Sequence, residues 1–262
     1  MKSKKNEKFI YEHDSVPTGY YDRVYKMKKG IQSKWHDQKF NFVKKKMKNY
    51  KNHLDFGCSA GTFIGCLNPK KKSIGVDISI DQINYAKKEY KRKKHNFFLS
   101  KLPLSFDDES FDVVTFLEVI EHCDDIQNNK IIKEIYRLLK PNGILIITTP
   151  NYSSFWPQLE KIISFIGSID YTRQHINAFN KKKLNNFLKL NNFIKVENIT
   201  FIYLAPFFAS INWKLAEYIE KIENNFFKTN FGFLLCGVFK KKKIKFTLAR
   251  LAELVDAQDL KS

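Results

Sequence analysis

The sequence predicts an open, doubly wound α/β sheet of three layers, with helices on both faces. Three observations carry this. Short apolar runs (Leu54–Phe56, Ser73–Asp77, Asn96–Leu99, Val113–Leu117 and Gly143–Pro150) recur at regular intervals. Amphipathic helical segments separate them, the pattern of parallel strands joined by crossover helices. The first run ends in a turn of small residues, Gly57-Cys-Ser-Ala-Gly61.

The N-terminal segment 1–50 reads as a helical cover. Tyr20, Tyr21, Trp35, His36, Phe40, Phe42, Val43 and Met47 form an aromatic-rich stripe at roughly helical spacing. Such a stripe either packs on the core or, through Tyr20, Tyr21, Trp35 or His36, covers a ligand lying on the small-residue turn. A domain over 51–245 follows. In it Asp55, Gly57, Ser59 and Gly61 make a strand-to-helix turn where a ligand can approach bare backbone and where helix amides attract polar groups. Two glycines at this spacing do not make the dinucleotide fingerprint.

Asp77 closes the second strand about 20 residues on, where an acid accepts from a ribose diol; the alternative is a cap on the next turn. Ile78 then stands beside the base. Ser79 opens a helix with Ile83, Tyr85, Ala86 and Tyr90 inward. After the fourth strand, Glu118, Glu121 and His122 are spaced i, i+3 and i+4, one helical face, which would bring two carboxylates and an imidazole together. A helix over Ile131–Leu139 is predicted to stop at Lys140-Pro-Asn-Gly143. Strands six (about 193–204) and seven (231–240, antiparallel) complete the sheet.

Together these motifs resemble the class I S-adenosylmethionine (SAM) methyltransferases: Asp55…Gly61 as motif I with Ser59 at the middle glycine, Asp77, Leu102-Pro103, Phe111-Asp112, Glu118-x-x-Glu121-His122, Lys140-Pro-Asn-Gly143 and Thr148-Thr-Pro-Asn151. The resemblance implies a Rossmann-like seven-stranded sheet with six parallel strands and a last antiparallel one. It implies SAM as cofactor, held by Asp55, Gly57, Ser59, Gly61, Asp77, Ile78 and Leu117. The acid that relatives use near the adenine is missing, which leaves Ser100 or a backbone group in its place. Glu118, Glu121 and His122 become the catalytic candidates. With His175 they are similar to the Mg²⁺ or Mn²⁺ ligands of the quinone-biosynthesis O-methyltransferases and the small-RNA 2′-O-methyltransferases, although Glu-x-x-Glu-His also occurs in metal-free members. Acceptor lids are expected at about 152–180 and 201–228.

The expected reaction is methyl transfer to a small or lipid- or glycan-linked acceptor, at oxygen. The alternatives are an RNA 2′-O-methyltransferase and a non-catalytic SAM-binding protein. A formal charge of +19 favours polyanions, but only five of the 46 basic residues are arginine, the better phosphate reader, which argues against dedicated nucleic-acid recognition. The cysteines Cys58, Cys66, Cys123 and Cys236 lack metal-site spacing and read as reduced thiols. With no secretory signal or membrane-length apolar run, a cytoplasmic protein is expected, with 201–228 as a peripheral membrane contact. The tail 246–262 changes composition and resembles the translation of a leucine tRNA gene, as when a reading frame runs past its end.

Overall fold

The computed structural model describes residues 16–242 except 48, 167–169 and 227–229, so the 246–262 tail lies outside the described residues. Seven strands, β1 (Asn52–Phe56), β2 (Lys72–Asp77), β3 (His95–Leu99), β4 (Phe111–Leu117), β5 (Leu139–Pro150), β6 (Phe193–Phe201) and β7 (Leu234–Lys241), form one sheet in the order β3-β2-β1-β4-β5-β7-β6. Strands β1 to β5 pair in parallel, and β7 runs antiparallel between β5 and β6. This is the predicted architecture.

Side chains alternate across each strand and build a core on either face. Leu54, Phe56, Val114, Phe116, Leu145 and Ile147 point to one, with α5 (Asp125–Leu138) and α8 (Lys181–Leu190) upon them. Val113, Leu117 and Ile146 point to the other, covered by α2 (Ile31–Lys46), α3 (Thr62–Gly65) and α4 (Ile80–Tyr90). Ahead of α2, α1 (Tyr20–Lys26) is fastened to α4 through its fully buried Asp22, which accepts from the hydroxyls of Tyr85 and Tyr90. These two tyrosines, expected to face inward, do so for a polar contact as much as an apolar one. After β5 come α6 (Trp156–Ile166) and α7 (Tyr171–Gln174), and after β6 come α9 (Ala205–Phe208) and α10 (Trp213–Phe226).

Three elements differ from the sequence reading. Helix α5 starts six residues earlier than predicted, at Asp125, because Asp124 and Gln127 form a reciprocal capping box. Strand β5 begins at Leu139, pairing with Phe111, so Lys140-Pro-Asn-Gly143 is an irregularity inside a strand, with Asn142 at φ 66°, rather than a free turn. Glu118 to His122 is not one helix. Glu118 sits at φ 53° and only Ile120–His122 form a 3-10 turn.

Candidate active site

The carboxyl ends of β1, β2, β4 and β5 open into a cavity of about 530 Å³. Backbone geometry shapes its floor. Gly57 lies at φ 77°, and a Cβ there would come within 2.5 Å of the Val119 side chain, so only glycine fits the turn. The amides of Gly57 and Cys58 both donate to Val76 O, at 2.8 and 3.0 Å, which locks the turn to β2. Ser59 also occupies the left-handed region, at φ 47°.

Asp77 ties the turn to the next helix. Its carboxylate accepts from Ser59 N at 2.8 Å and Ser79 N at 2.9 Å. The capping alternative is therefore realised, but each oxygen keeps acceptor capacity and the residue lines the cavity. Asp55, Gly57, Ser59, Ile78, Ser100 and Leu117 line it too. Gly61 does not. It faces the layer beneath, where a Cβ would meet Phe97 at 2.7 Å and Ala86 at 2.8 Å, and it lies at φ 75°, so its requirement for glycine comes from packing and backbone conformation together.

Behind Asp55 runs a buried polar chain across three strands. Thr115 Oγ1 donates to Asp55 Oδ1 at 2.6 Å, His53 Nε2 lies 2.7 Å from Thr115 Oγ1, and His53 Nδ1 lies 3.2 Å from Ser73 Oγ. Burial raises the Asp55 carboxyl to about 7 and depresses His53 to about 3.

The N-terminal cover forms one wall through Tyr21, Gln32, Trp35, His36 and Lys39. Of the aromatic candidates, Tyr20 stands apart, holding Gln32 through its hydroxyl at 2.9 Å. Gln32 in turn donates to Tyr171 OH at 2.9 Å, which bridges the cover to α7. Buried Lys39 is ion-paired with Glu118, and Trp35 Nε1 donates to the same carboxylate at 2.9 Å. Burial alone would raise the Glu118 pKa, yet Lys39 brings it below the ordinary value. Glu118 is thereby held to the cover, and with residues 118–122 not forming one helix the single-face arrangement expected from spacing is corrected.

Glu121, His122 and His175 do converge, each placing a ligand-type atom within 4.8 Å of the others. Glu121 is 1% exposed, and neither of its oxygens has a hydrogen-bond partner of ordinary geometry. Burial raises it to about 7, against the pull of His175. His122 Nδ1 donates to Gln174 O at 3.0 Å, and His175 Nδ1 is paired with Glu160, whose two oxygens both accept from Tyr152 OH at 3.0 Å. Despite its burial, His175 is raised above the ordinary imidazole value by Glu160 and Glu121.

Lys39 and Glu160 lie outside the sequence motifs. The signal for each was a charge within an apolar stripe: Lys39 four residues after Trp35, Glu160 four after Trp156. Trp156, Ile163, Tyr171 and His175 line the cavity, so the 152–180 segment covers it. Among the described residues none of 201–226 does. That excursion packs behind α2, with Glu220 paired to the buried Lys34 and Glu223 accepting from the amides of Leu204 and Ala205.

Comparison with known proteins agrees with this geometry. The model of the methyltransferase domain family matches residues 27–198. The ubiquinone biosynthesis O-methyltransferase of Pelagibacter ubique is 35% identical over 118 residues, 44% of this chain and 48% of that protein. The demethylmenaquinone methyltransferase of Lactococcus lactis is 31% identical over 131 residues, covering 44% and 51%. The chain spans about half the length of the curated relatives it matches. Among solved structures, a SAM-dependent methyltransferase of Thermotoga maritima, a possible histamine N-methyltransferase, superposes with TM-score 0.61 at 20% identity, over 85% of this chain and 94% of that one. The N-methyltransferase NodS of Bradyrhizobium japonicum, bound to S-adenosyl-L-homocysteine, does so with TM-score 0.55 at 16% identity, over 81% and 88%. Such likenesses define the fold. The chain belongs to the class I SAM-dependent methyltransferase family, and SAM is its cofactor.

Proposed function

We infer that the protein transfers the SAM methyl group to a hydroxyl of an acceptor with an apolar body. The carrying observation is Glu121, a buried carboxylate lacking ordinary hydrogen-bond partners, beside His122 and His175 in the acceptor half of the cavity. A hydroxyl is a weak nucleophile until its proton is taken, whereas an amine needs no such group. In the reading proposed, Gly57–Ser59, Asp77, Ile78 and Ser100 would hold SAM, with the Asp77 carboxylate accepting from its ribose hydroxyls. Lys39 faces the methionyl end, where its charge complements a carboxylate. The acceptor would lie against Tyr171 and the packed Trp35–Trp156 pair, whose ring centres are 5.1 Å apart. Bound SAM would supply an activated methyl group to that hydroxyl oxygen, and the Glu121–His175 pair would take the hydroxyl proton. Glu160 and Tyr152 orient His175, as a carboxylate orients the base in other acyl- and group-transfer sites.

The same donors fit a divalent ion. The two imidazoles are each fixed through Nδ1 by a carbonyl or a carboxylate, the usual outer support of metal-bound histidine, and Glu121 has ligand capacity to spare. An ion held by Glu121, His122 and His175 would lower the hydroxyl's pKa. The O-methyltransferase relatives support oxygen as the acceptor atom, and the apolar walls support a small aromatic or lipid- or glycan-linked body.

The test is SAM turnover over a panel of quinols, phenols and glycolipids, with and without chelator. Glu121→Gln should lower kcat by about a hundredfold while leaving SAM affinity within about twofold. Wild-type turnover by that variant on a hydroxyl acceptor would overturn the assignment. Manganese binding followed by electron paramagnetic resonance, lost in Glu121→Gln, identifies the ion-assisted form.

A further inference from the structure

The opposite end of the sheet carries a second cavity, of about 430 Å³. Strands β1, β2 and β3 are parallel neighbours, so the segments entering them meet at one edge. Each entry is basic. Lys51 precedes β1, Lys70, Lys71 and Lys72 lead into β2, and Lys93 and Lys94 precede β3; all six line the cavity, with the amides of Asn52 and Asn96 between them and Tyr50 at the base. Among the described residues no acidic one lines it; the neighbouring carboxylate, Asp112, accepts from the backbone amides of Lys51 and Asn52 and is paired with Lys140.

Lysine abundance accounts for the number of such residues but not for this segregation. On α2, Lys34, Lys39 and Lys46 each have a carboxylate partner. Among the described residues none of the six cleft lysines is in an ion pair. Two are held in place without being neutralised: Lys94 Nζ donates to Lys70 O at 2.9 Å, and Lys71 Nζ lies 4.5 Å from the centre of the Tyr50 ring. Like charges gathered in a concavity repel one another and focus a positive potential, which an anion relieves. Three adjacent strand entries span roughly 10 Å at the ordinary strand spacing, enough for several linked phosphates, and the Asn96 side-chain amide can donate to an oxygen between ammonium groups, whereas that of Asn52 is held by Ser110 O at 3.1 Å. A single carboxylate would leave most of the charge unmatched.

We propose that this cleft binds linked phosphate groups, whether of a free oligophosphate or of an RNA backbone, at a site separate from the methyl-transfer cavity. The two lie at opposite ends of β1, whose five residues span roughly 16 Å. The site does not depend on which acceptor is methylated.

Full-length protein is titrated with a fluorescein-labelled oligouridylate by anisotropy and with inorganic tripolyphosphate by calorimetry, at about 150 mM salt. The variant Lys70→Gln/Lys72→Gln/Lys94→Gln is compared with Lys87→Gln/Lys88→Gln/Lys91→Gln, which removes the same charge from the exposed face of α4 and the residue capping its C-terminus. The cleft variant should lose affinity on the order of tenfold, and its salt slope on RNA should fall by about two. The α4 variant should stay near wild type, and both should bind SAM normally. Tighter binding of RNA identifies the backbone as the source, and tighter binding of tripolyphosphate identifies a free oligophosphate. Equal losses in the two variants, or no binding of either probe by the wild type, overturn the proposal.

Discussion

Ser59 occupies a backbone conformation that suits glycine better. At φ 47° its Cβ crowds the chain, at a cost of about 1 kcal/mol. Its contact to Asp77 comes from the amide, which every residue but proline has. Ser59→Gly should therefore keep SAM affinity and leave stability equal or higher by up to about 1 kcal/mol, since glycine gains in the turn what it loses in unfolded-chain entropy. A marked loss of SAM affinity by calorimetry would show that the hydroxyl itself touches the cofactor. Asp77 is the contrasting position. Asp77→Ala removes the ribose acceptors and also frees two backbone amides, so SAM affinity should fall about a hundredfold with a stability loss of about 1–2 kcal/mol. Unchanged affinity would mean the ribose lies elsewhere. These residues were legible because covalent spacing links them: turn, helix and second strand leave little freedom in where the acid falls. Glu118 was not. Its spacing to Glu121 and His122 suggested one helical face, but a left-handed residue at 118 and an ion pair with Lys39, 79 positions away, redirect it.

At the scale of elements, the cover depends on a small number of polar fastenings. Helix α1 is seven residues long, too short to persist by itself. It is held by Asp22, which accepts from two tyrosines of α4 and is paired with Lys26, interactions that more than offset its burial and keep its pKa below the ordinary value. Asp22→Ala should release α1. Limited proteolysis should then cut within 16–30 while the sheet domain stays protected, and SAM affinity should fall as the Tyr21 wall is lost. Protection equal to wild type would show that apolar packing alone holds the cover. The strands and most helices could be read from sequence because alternation and 3.6-residue periodicity reflect which face is buried. The placement of the two lid segments could not. Both are rich in aromatics, but 152–180 is led over the cavity by β5, whereas 201–226 is tethered to α2 by Glu220 and closed on itself by Glu223, partners no local pattern reveals.

For the whole molecule, the unusual electrostatic feature is the set of ionisable groups buried along β1 and around the sheet's carboxyl end. Asp55 and Glu121 are each raised to about 7 by burial, while His53 and His36 are lowered to about 3 for the same reason. A carboxyl whose folded pKa lies above its unfolded one is favoured in its neutral form. It therefore costs nothing below the unfolded value near 4, costs more with each step of pH up to about 7, and a constant amount above that. The histidines act in the other direction: neutral when buried, they penalise the fold only as pH drops below about 6.5. Between about pH 4 and 6.5 the two trends oppose each other, and above that range only the carboxyls continue to destabilise the cofactor-free protein. Asp55→Asn keeps the shape and an acceptor for Thr115 but cannot ionise. Its stability relative to wild type should rise by about 2 kcal/mol between pH 5 and pH 8, an order-of-magnitude figure from the raised pKa. Denaturant unfolding of both proteins without SAM at the two pH values measures this directly. Any fixed penalty from an imperfect Asn hydrogen bond cancels in the difference between pH values. A stability difference that does not change with pH would show that Asp55 is ionised throughout, with its buried charge balanced by Lys39.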